Sequence, residues 1–513
     1  MISFPLAAAV PTAPNIDWAG LSPLLVLLGG AIIALIVGLA GPRAIRTQVV
    51  PLISLATFGA AIAAVISLWG QSIVLIEGAL QLDPLTLILM LVICGGGVVA
   101  TLLAWRDQAA EEIAHGEFFS LMLLGSAGMF VLVASRDLVT TFVGLELLSL
   151  PLYILCAARV REERSLESGL KYLIIGSVGS ATVLYGFALL YGATGQTGYN
   201  AIAAAIEASN LASDPLFLTG VAMCTVGFAF KASLAPFHQW TPDVYEGAPT
   251  PVTAFMSVAT KAAAFGAIIR LFDVAVRPAV DAWQPIWVAI ALITMVVGNV
   301  GALRQESMKR MLAYSSIAQA GYILVGFVLV SDLGVQAICA YLVLYSLGNL
   351  AAFTVVIARE RETAEGDKIS AMRGLGTERP VLAVVMTMAM LSLAGIPATA
   401  GFMGKLRLVE AAAAGDYAWL VAVLVVLSVI SLAYYLPVVA TIWRGETQPG
   451  TDAASGVPVL AGGAPEADAA TGRAGWELTL VGVVLAAAVL VFGIIPQPVF
   501  NLVADAARGL GLS

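Results

Sequence analysis

Charge is what this chain lacks most: 11% of its 513 residues are Asp, Glu, Lys or Arg, while 60% are hydrophobic. Ordinary globular proteins carry about 25% charged residues, so a water-facing surface for a chain this long has little to be made from. Histidine is almost missing, with His115 and His238 alone, and the four cysteines, Cys94, Cys156, Cys224 and Cys339, all lie within apolar segments with no C-x-x-C spacing. A zinc site or an iron–sulfur cluster needs clustered ligands, and the thiols here read as buried packing groups. No basic patch suited to nucleic acid is present. No G-x-G-x-x-G follows a strand, so the chain is expected to hold no cofactor and to carry out no redox chemistry of its own.

What is there instead is a succession of apolar blocks of roughly 20 residues, the length a helix needs to cross ~30 Å of hydrocarbon. Lipid offers the backbone no hydrogen-bond partner, so such blocks must be helical. The expected fold class is an all-α polytopic membrane protein. Fourteen candidate spans run over residues 22–41, 48–70, 83–104, 118–135, 137–158, 166–192, 215–247, 249–272, 284–304, 308–330, 334–358, 380–414, 416–443 and 475–495. Two of these, 215–247 and 380–414, are too long for one crossing and contain breakers, Pro236 in the first and Gly395 with Pro397 in the second. They predict discontinuous helices lining a protein or water-filled interior.

Orientation follows from the basic residues, since cytoplasmic loops carry an excess of Lys and Arg. Sixteen of the 25, from Arg43 to Arg473, fall in loops on one side, and five (Arg136, Arg270, Arg277, Arg407, Arg508) lie on or near the other. The first side is therefore read as cytoplasmic, with both termini outside. The first 18 residues carry no basic residue and predict a short extracytoplasmic lead. Residues 444–474, rich in Gly, Ala and Pro, predict a flexible cytoplasmic linker before the last span.

The four remaining basic residues are all lysines inside spans: Lys171, Lys231, Lys261 and Lys405, out of six lysines in the chain. A charge at the bilayer centre costs at least about 2.5–3.5 kcal/mol, so chance placement does not account for them. Lys171 is close enough to the cytoplasmic loop to snorkel. Lys261 is about twelve residues from either end of its span and is not. Lys231 and Lys405 flank the breaks, five residues before Pro236 and eight after Pro397, where freed carbonyls would also attract an ammonium. Glu146, in the middle of the fifth span, is the single acid read as deep in the membrane. Burial disfavours an ammonium and a nearby carboxylate favours it, so lysines and one acid in this setting point to groups that exchange protons. Broken helices in two similar positions point to an internally repeated transporter.

Several stretches resemble a known family, the proton-translocating antiporter-like subunits of respiratory complex I, which share ancestry with multisubunit cation/proton antiporters. They are KASLAPFHQWTPDVYEGAPTPVTAFM (231–256), LAGIPATAGFMGK (393–405), GLELLSLPLYIL (144–155), LKYLIIGSVGSATVLYG (170–186) and MKRMLAYSSIAQAGY (308–322). The match spans roughly residues 85 to 440. Within the family it is closest to the subunit N branch, because no long lateral helix follows and lysine, not glutamate, stands at 405.

The resemblance implies fourteen helices with two inverted five-helix repeats, helices 4–8 and 9–13, whose helices 7 and 12 are broken. The corresponding divisions are a three-helix segment (1–117), the repeats (118–272 and 284–443), the linker (444–474) and a C-terminal helix with its tail (475–513). It implies proton translocation by Glu146, Lys231, Lys261 and Lys405, with Lys171 and His238 secondary. It further implies work within a bacterial inner-membrane NADH:quinone oxidoreductase of a respiratory chain. Flavin and iron–sulfur clusters would reside in partner subunits, and quinone reduction would be coupled to this chain through neighbouring antiporter-like and small membrane subunits. The alternatives are a subunit of a multisubunit cation/proton antiporter or a stand-alone secondary transporter. One departure is Gln319, where the family often has a histidine. Glutamine can hydrogen-bond water but does not take up a proton near neutral pH, which leaves water, Tyr314 or Ser315 for an output path.

Overall fold

The computed structural model describes residues 16–363, 365–415, 417–444, 475–508 and 510. Most of the predicted lead and nearly all of the predicted linker lie outside these.

The helices are α1 (Ser22–Ala40), α2 (Arg43–Ser67), α3 (Pro84–Ala104), α4 (His115–Ala134), α5 (Leu138–Cys156), α6 (Glu163–Thr194), α7 (Pro215–Lys231) and α8 (Trp240–Gly247). They continue as α9 (Thr250–Ala275), α10 (Val280–Ala302), α11 (Met308–Phe327), α12 (Asp332–Glu362), α13 (Pro380–Ala394), α14 (Ala400–Ala413), α15 (Ala418–Trp443) and α16 (Trp476–Ile494). Among the described residues, eleven helices are long and apolar enough to cross a membrane. The only sheet described is a short hairpin, β1 (Ile73–Leu75) with β2 (Leu80–Leu82), antiparallel with Ile73 opposite Leu82. The chain is an all-α multi-pass membrane protein, as its composition requires.

Polar caps set where the helices start. Asp83, Asp137, Asp214, Ser307 and Ser331 each accept a hydrogen bond from a backbone N–H in the first turn of α3, α5, α7, α11 and α12. Such a cap satisfies donors that apolar side chains cannot. Proline at the first position of α3, α7 and α13 costs no hydrogen bond there. Neighbours in sequence mostly pack side by side: α4 on α5, α6 on α7, α10 on α11, with α16 returning onto α12 and α13.

Burial sorts the helices into two shells. α9 is buried except at Val274 and α4 and α12 are nearly so, whereas α1, α2, α6 and α15 expose Ile, Leu and Val over much of their length. Lipid is as apolar as those side chains, so the outer shell needs no other cover. Both predicted breaks are present. α7 ends at Lys231 and the chain resumes helix at Trp240; α13 ends at Ala394 and resumes at Ala400. At the second break Gly395 has φ +84, and a Cβ there would come 2.9 Å from Lys405 Cδ. Glycine is needed at that point for the turn and for the lysine beside it.

Three features go beyond the sequence reading. Arg270 does not reach a loop. It is 1% exposed inside α9, and its guanidinium binds Asp83 at 2.6 Å and Thr86 at 2.7 Å, with Nε donating to the Val133 carbonyl. Besides the half-buried Glu146, two acids near span ends, Asp83 and Asp273, are fully buried. Loops also hold unexpected helices, including Tyr199–Ser209, whose Tyr199, Ile202 and Ile206 face inward at helical spacing. Breaking a buried ion pair strands the other charge. Asp83→Ala is therefore expected to destabilise the protein by about 3–5 kcal/mol, measured as a fall in thermal unfolding temperature in detergent.

At the arginine-rich end, Asp107 ties three parts of the chain together. It lies 3.7 Å from Arg159, after α5, and 3.4 Å from Arg361, at the end of α12. Burial alone would raise its carboxyl, but the two guanidinium groups hold it below the ordinary carboxylate range.

Candidate functional site

Four lysines are buried, and one of them, Lys309, pairs with Glu360. The other three, Lys231, Lys261 and Lys405, are 5%, 4% and 5% exposed, and among the described residues none of them makes an ion pair with an acid. Each instead rests near an aromatic ring: Tyr172 at 5.6 Å, Tyr345 at 5.6 Å and Tyr322 at 5.0 Å respectively. Cation–π contact of this kind stabilises an ammonium without fixing it to an anion.

Lys231 closes α7. Its Nζ donates to Ser149 Oγ at 2.8 Å on α5 and to Tyr172 OH at 3.3 Å on α6. Glu146 stands one turn before Ser149 on α5, and its Oε1 is buried with no hydrogen-bond partner. Among the described residues Glu146 therefore forms no ion pair with Lys231. The lysine reaches the serine one turn further on, and the glutamate acts on it through space. Pro151 lies inside α5 close by and leaves the carbonyl four residues earlier without its helical donor.

Lys261 sits midway along α9, just after a π-helical turn, Met256–Thr260. Single π turns recur at functional sites. Its Nζ donates to the Ser316 carbonyl on α11. From there two rungs join α11 to α12: Tyr345 OH donates to Ser316 Oγ at 3.2 Å, and Tyr341 OH donates to Gln319 Oε1. Gln319 Nε2 then donates to the Leu393 carbonyl at 3.0 Å and to Tyr435 OH at 3.3 Å. Lys405 Nζ donates to that same Leu393 carbonyl at 3.2 Å and to Ala394 O at 3.0 Å. Lys405 thus neutralises the carbonyl end of α13, a favourable place for a cation, and shares an acceptor with Gln319. Ser315 joins the same cluster through Tyr435 OH at 2.5 Å.

The predicted residues thus fall into two groups, Glu146 with Lys231, and Lys261 with Gln319 and Lys405. Lys171 belongs to neither. Its side chain is 41% exposed and bound to Glu167 at 2.7 Å and Asp243 at 3.3 Å, as snorkelling to the interface predicts. His238 lies in the first break, with its ring edge-on to Tyr314 at 6.5 Å and Nδ1 buried without a partner. Among the described residues no group of three or more His, Cys, Asp and Glu is arranged to hold a metal, and all four cysteines are buried free thiols.

Sequence reasoning missed the connecting side chains, Ser149, Ser316, Tyr341, Tyr345 and Tyr435, and the buried Asp273. The tyrosine pair at spacing four on α12 was the available signal, since both face one side of a helix. Asp273 sits near the end of its span, where an acid looks like a loop residue.

The comparisons agree with this architecture. Residues 135–431 match the family model described as NADH:quinone oxidoreductase/Mrp antiporter, TM. The chain is 37% identical over 505 residues to NADH-quinone oxidoreductase subunit N 2 of Roseiflexus castenholzii, covering 97% of each. Among solved structures it resembles a chain of respiratory complex I from Thermus thermophilus, with 31% identity, TM-score 0.77, and 94% of this chain and 99% of the other covered. A chain of the Mrp complex from Dietzia shares the fold with TM-score 0.83 at 24% identity, over 96% of this chain and 98% of the other. A family match over more than half the chain, with a relative aligned along nearly its whole length, leaves one conclusion: the chain belongs to the NADH:quinone oxidoreductase/Mrp antiporter transmembrane family, in its NADH-quinone oxidoreductase subunit N branch.

Proposed function

We propose that the chain is a proton-translocating membrane subunit of an NADH:quinone oxidoreductase, with no redox chemistry of its own. The observation that carries this is the set of three lysines, each 4–5% exposed, held by hydroxyls, carbonyls and rings instead of acids. A purely structural cation at such depth would have a permanent counter-ion. Flavin, iron–sulfur clusters and quinone would belong to partner subunits, with neighbouring antiporter-like and small membrane subunits packed against the exposed helices.

In this scheme Lys261 is the central relay. Glu146 and Lys231 form the gating group: when the carboxylate approaches, Lys231 holds its proton, and when it withdraws, the proton leaves. Lys405 receives the proton by way of Ser316 and Gln319 and passes it on. Between the Lys231 and Lys261 groups, water or a side-chain swing completes the transfer. The two breaks, α7/α8 and α13/α14, fit inverted repeats over 118–272 and 284–443, and pairing each broken helix as one pass, with α11 added, gives fourteen crossings. The arginine-rich end would face the cytoplasm of a bacterial cell, with both termini outside. Lys171 and His238 would serve secondary roles.

Two measurements test these assignments. Affinity purification of the tagged chain is expected to bring down flavin- and iron–sulfur-containing partners, and the chain alone is expected not to oxidise NADH; a monomer that does so contradicts the proposal. Gln319→Leu is expected to slow proton transfer about tenfold by removing a polar link of the path, while Gln319→His is tolerated. Normal pumping by the leucine variant in membrane vesicles would take position 319 out of the path.

A further inference from the structure

The seam between α9 and α12 carries polar groups that the scheme above leaves unused. α9 is buried except at Val274, yet Thr250, Thr253, Ser257, Thr260 and Lys261 fall along it at steps of three, four and three or four, which keeps them near one face of a helix. α12 answers with Tyr345, Asn349 and Glu360. Three contacts join the two helices. Thr250 Oγ1 donates to both carboxylate oxygens of Glu360, at 2.8 and 2.6 Å. Asn349 Nδ2 donates to Ser257 Oγ at 2.5 Å. Lys261 Nζ lies over the Tyr345 ring at 5.6 Å. The contacts climb from the arginine-rich end to the central lysine, eleven residues and about 16 Å along the helix.

At the mouth of this seam stands an ion pair. Lys309 Nζ is 3.7 Å from Glu360 Oε1 and donates to the Ala248 carbonyl at 2.8 Å, with side-chain exposures of 5% for the lysine and 13% for the glutamate. The neighbouring charges on α12 point elsewhere: Arg359 pairs with Glu378, Arg361 with Asp107 and Glu362 with Arg379. Glu360 alone of the four turns to α9. Further in, Asn349 is fully buried and its Oδ1 has no partner. Buried polar atoms of this kind hold bridging waters.

We propose that Glu360 is the proton acceptor of a cytoplasmic entry path running up the α9–α12 seam to Lys261, gated by Lys309. This rests on the proton-translocating role of Lys261 proposed above. The Glu360 carboxylate takes a proton from hydronium at the cytoplasmic surface, giving the neutral acid and water. The proton then passes through water bridged by Thr250, Ser257 and Asn349 to a neutral Lys261 amine, which becomes the ammonium, and Glu360 returns to the carboxylate. While Glu360 is neutral it releases Lys309, which keeps its bond to Ala248. Thr253 is turned aside, donating to the Tyr245 carbonyl at 3.1 Å, and stays outside the path.

The test uses the assembled complex in proteoliposomes, with proton uptake recorded beside quinone reduction. Glu360→Gln and Asn349→Leu are expected to slow coupled turnover about tenfold or more, and Glu360→Asp to restore most of it. Thr250→Val, which keeps the side-chain shape and removes the hydroxyl that donates to Glu360, is expected to slow turnover as well. A seam that merely holds α9 against α12 would show its loss in Glu360→Gln as lowered stability or assembly, because Lys309 loses its counter-charge, with turnover per assembled complex unchanged. Wild-type pumping in Glu360→Gln while Lys261→Arg is inactive would overturn the entry path and leave the function of Lys261 standing. Wild-type pumping in Lys261→Arg would remove the reading on which the path depends. If Glu360→Gln prevents assembly, Thr250→Val alone settles the outcome: slowed turnover supports the path and unchanged turnover overturns it.

Discussion

Lys261→Arg is expected to stop proton translocation while leaving the complex assembled, with turnover lowered about a hundredfold or more. Arginine keeps the positive charge and the hydrogen-bond donors but does not deprotonate in a protein. The site distinguishes the two side chains in function far more than in structure. Lys261 has no ion-paired acid. It donates to one carbonyl, that of Ser316, and lies near the Tyr345 ring, and a guanidinium can make both contacts. A cation placed there only to hold α9 against α11 would survive the exchange with a modest packing cost. A relay would not. Lys261→Met, which removes both charge and proton, should be equally inactive. Near-normal pumping by the arginine variant in vesicles would show that the residue is an electrostatic fixture.

Glu146→Ala is the second large effect expected, a loss of about tenfold to a hundredfold in pumping. The carboxylate lies one turn from Ser149, which holds Lys231 Nζ at 2.8 Å, and one of its own oxygens is buried without a donor. Removing it takes away the nearest negative charge acting on that lysine in a medium where charges are weakly screened. Lys171→Ala should change pumping by less than about twofold, because exposed ion pairs such as Lys171–Glu167 contribute little. Pumping rates of the two variants, normalised to assembled complex, make the comparison. Equal severe losses would show that the two residues belong to one path and that exposure is no guide to their rank.

These rankings depend on features that differed in how visible they were. A lysine within a long apolar run stands out, because a charge there is costly, and Lys231, Lys261 and Lys405 were found on that ground. The breaks were visible for a similar reason: Pro236, Gly395 and Pro397 are the strongest interruptions a helix can carry. Neutral polar groups were not visible. Ser149, Ser257, Ser316 and Asn349 are of types that transmembrane helices use freely for packing, and only their three-dimensional partners set them apart. The Asp83–Arg270 pair escaped because its members are 187 positions apart and each lies near the end of a span, where charge is ordinary. Asp273 escaped because it stands at the far end of α9, packed beneath the Tyr199–Ser209 helix, where an acid looks like a loop residue.

The central claim is that buried lysines change protonation during turnover. Infrared difference spectra of the assembled complex, triggered by NADH, measure this directly when the lysines carry a heavy isotope that shifts ammonium and amine bands. The account predicts isotope-sensitive lysine bands that appear on turnover in the wild type and lose a component in Lys261→Arg. Spectra in which no lysine band changes on turnover, or in which the arginine variant keeps every component, would contradict it.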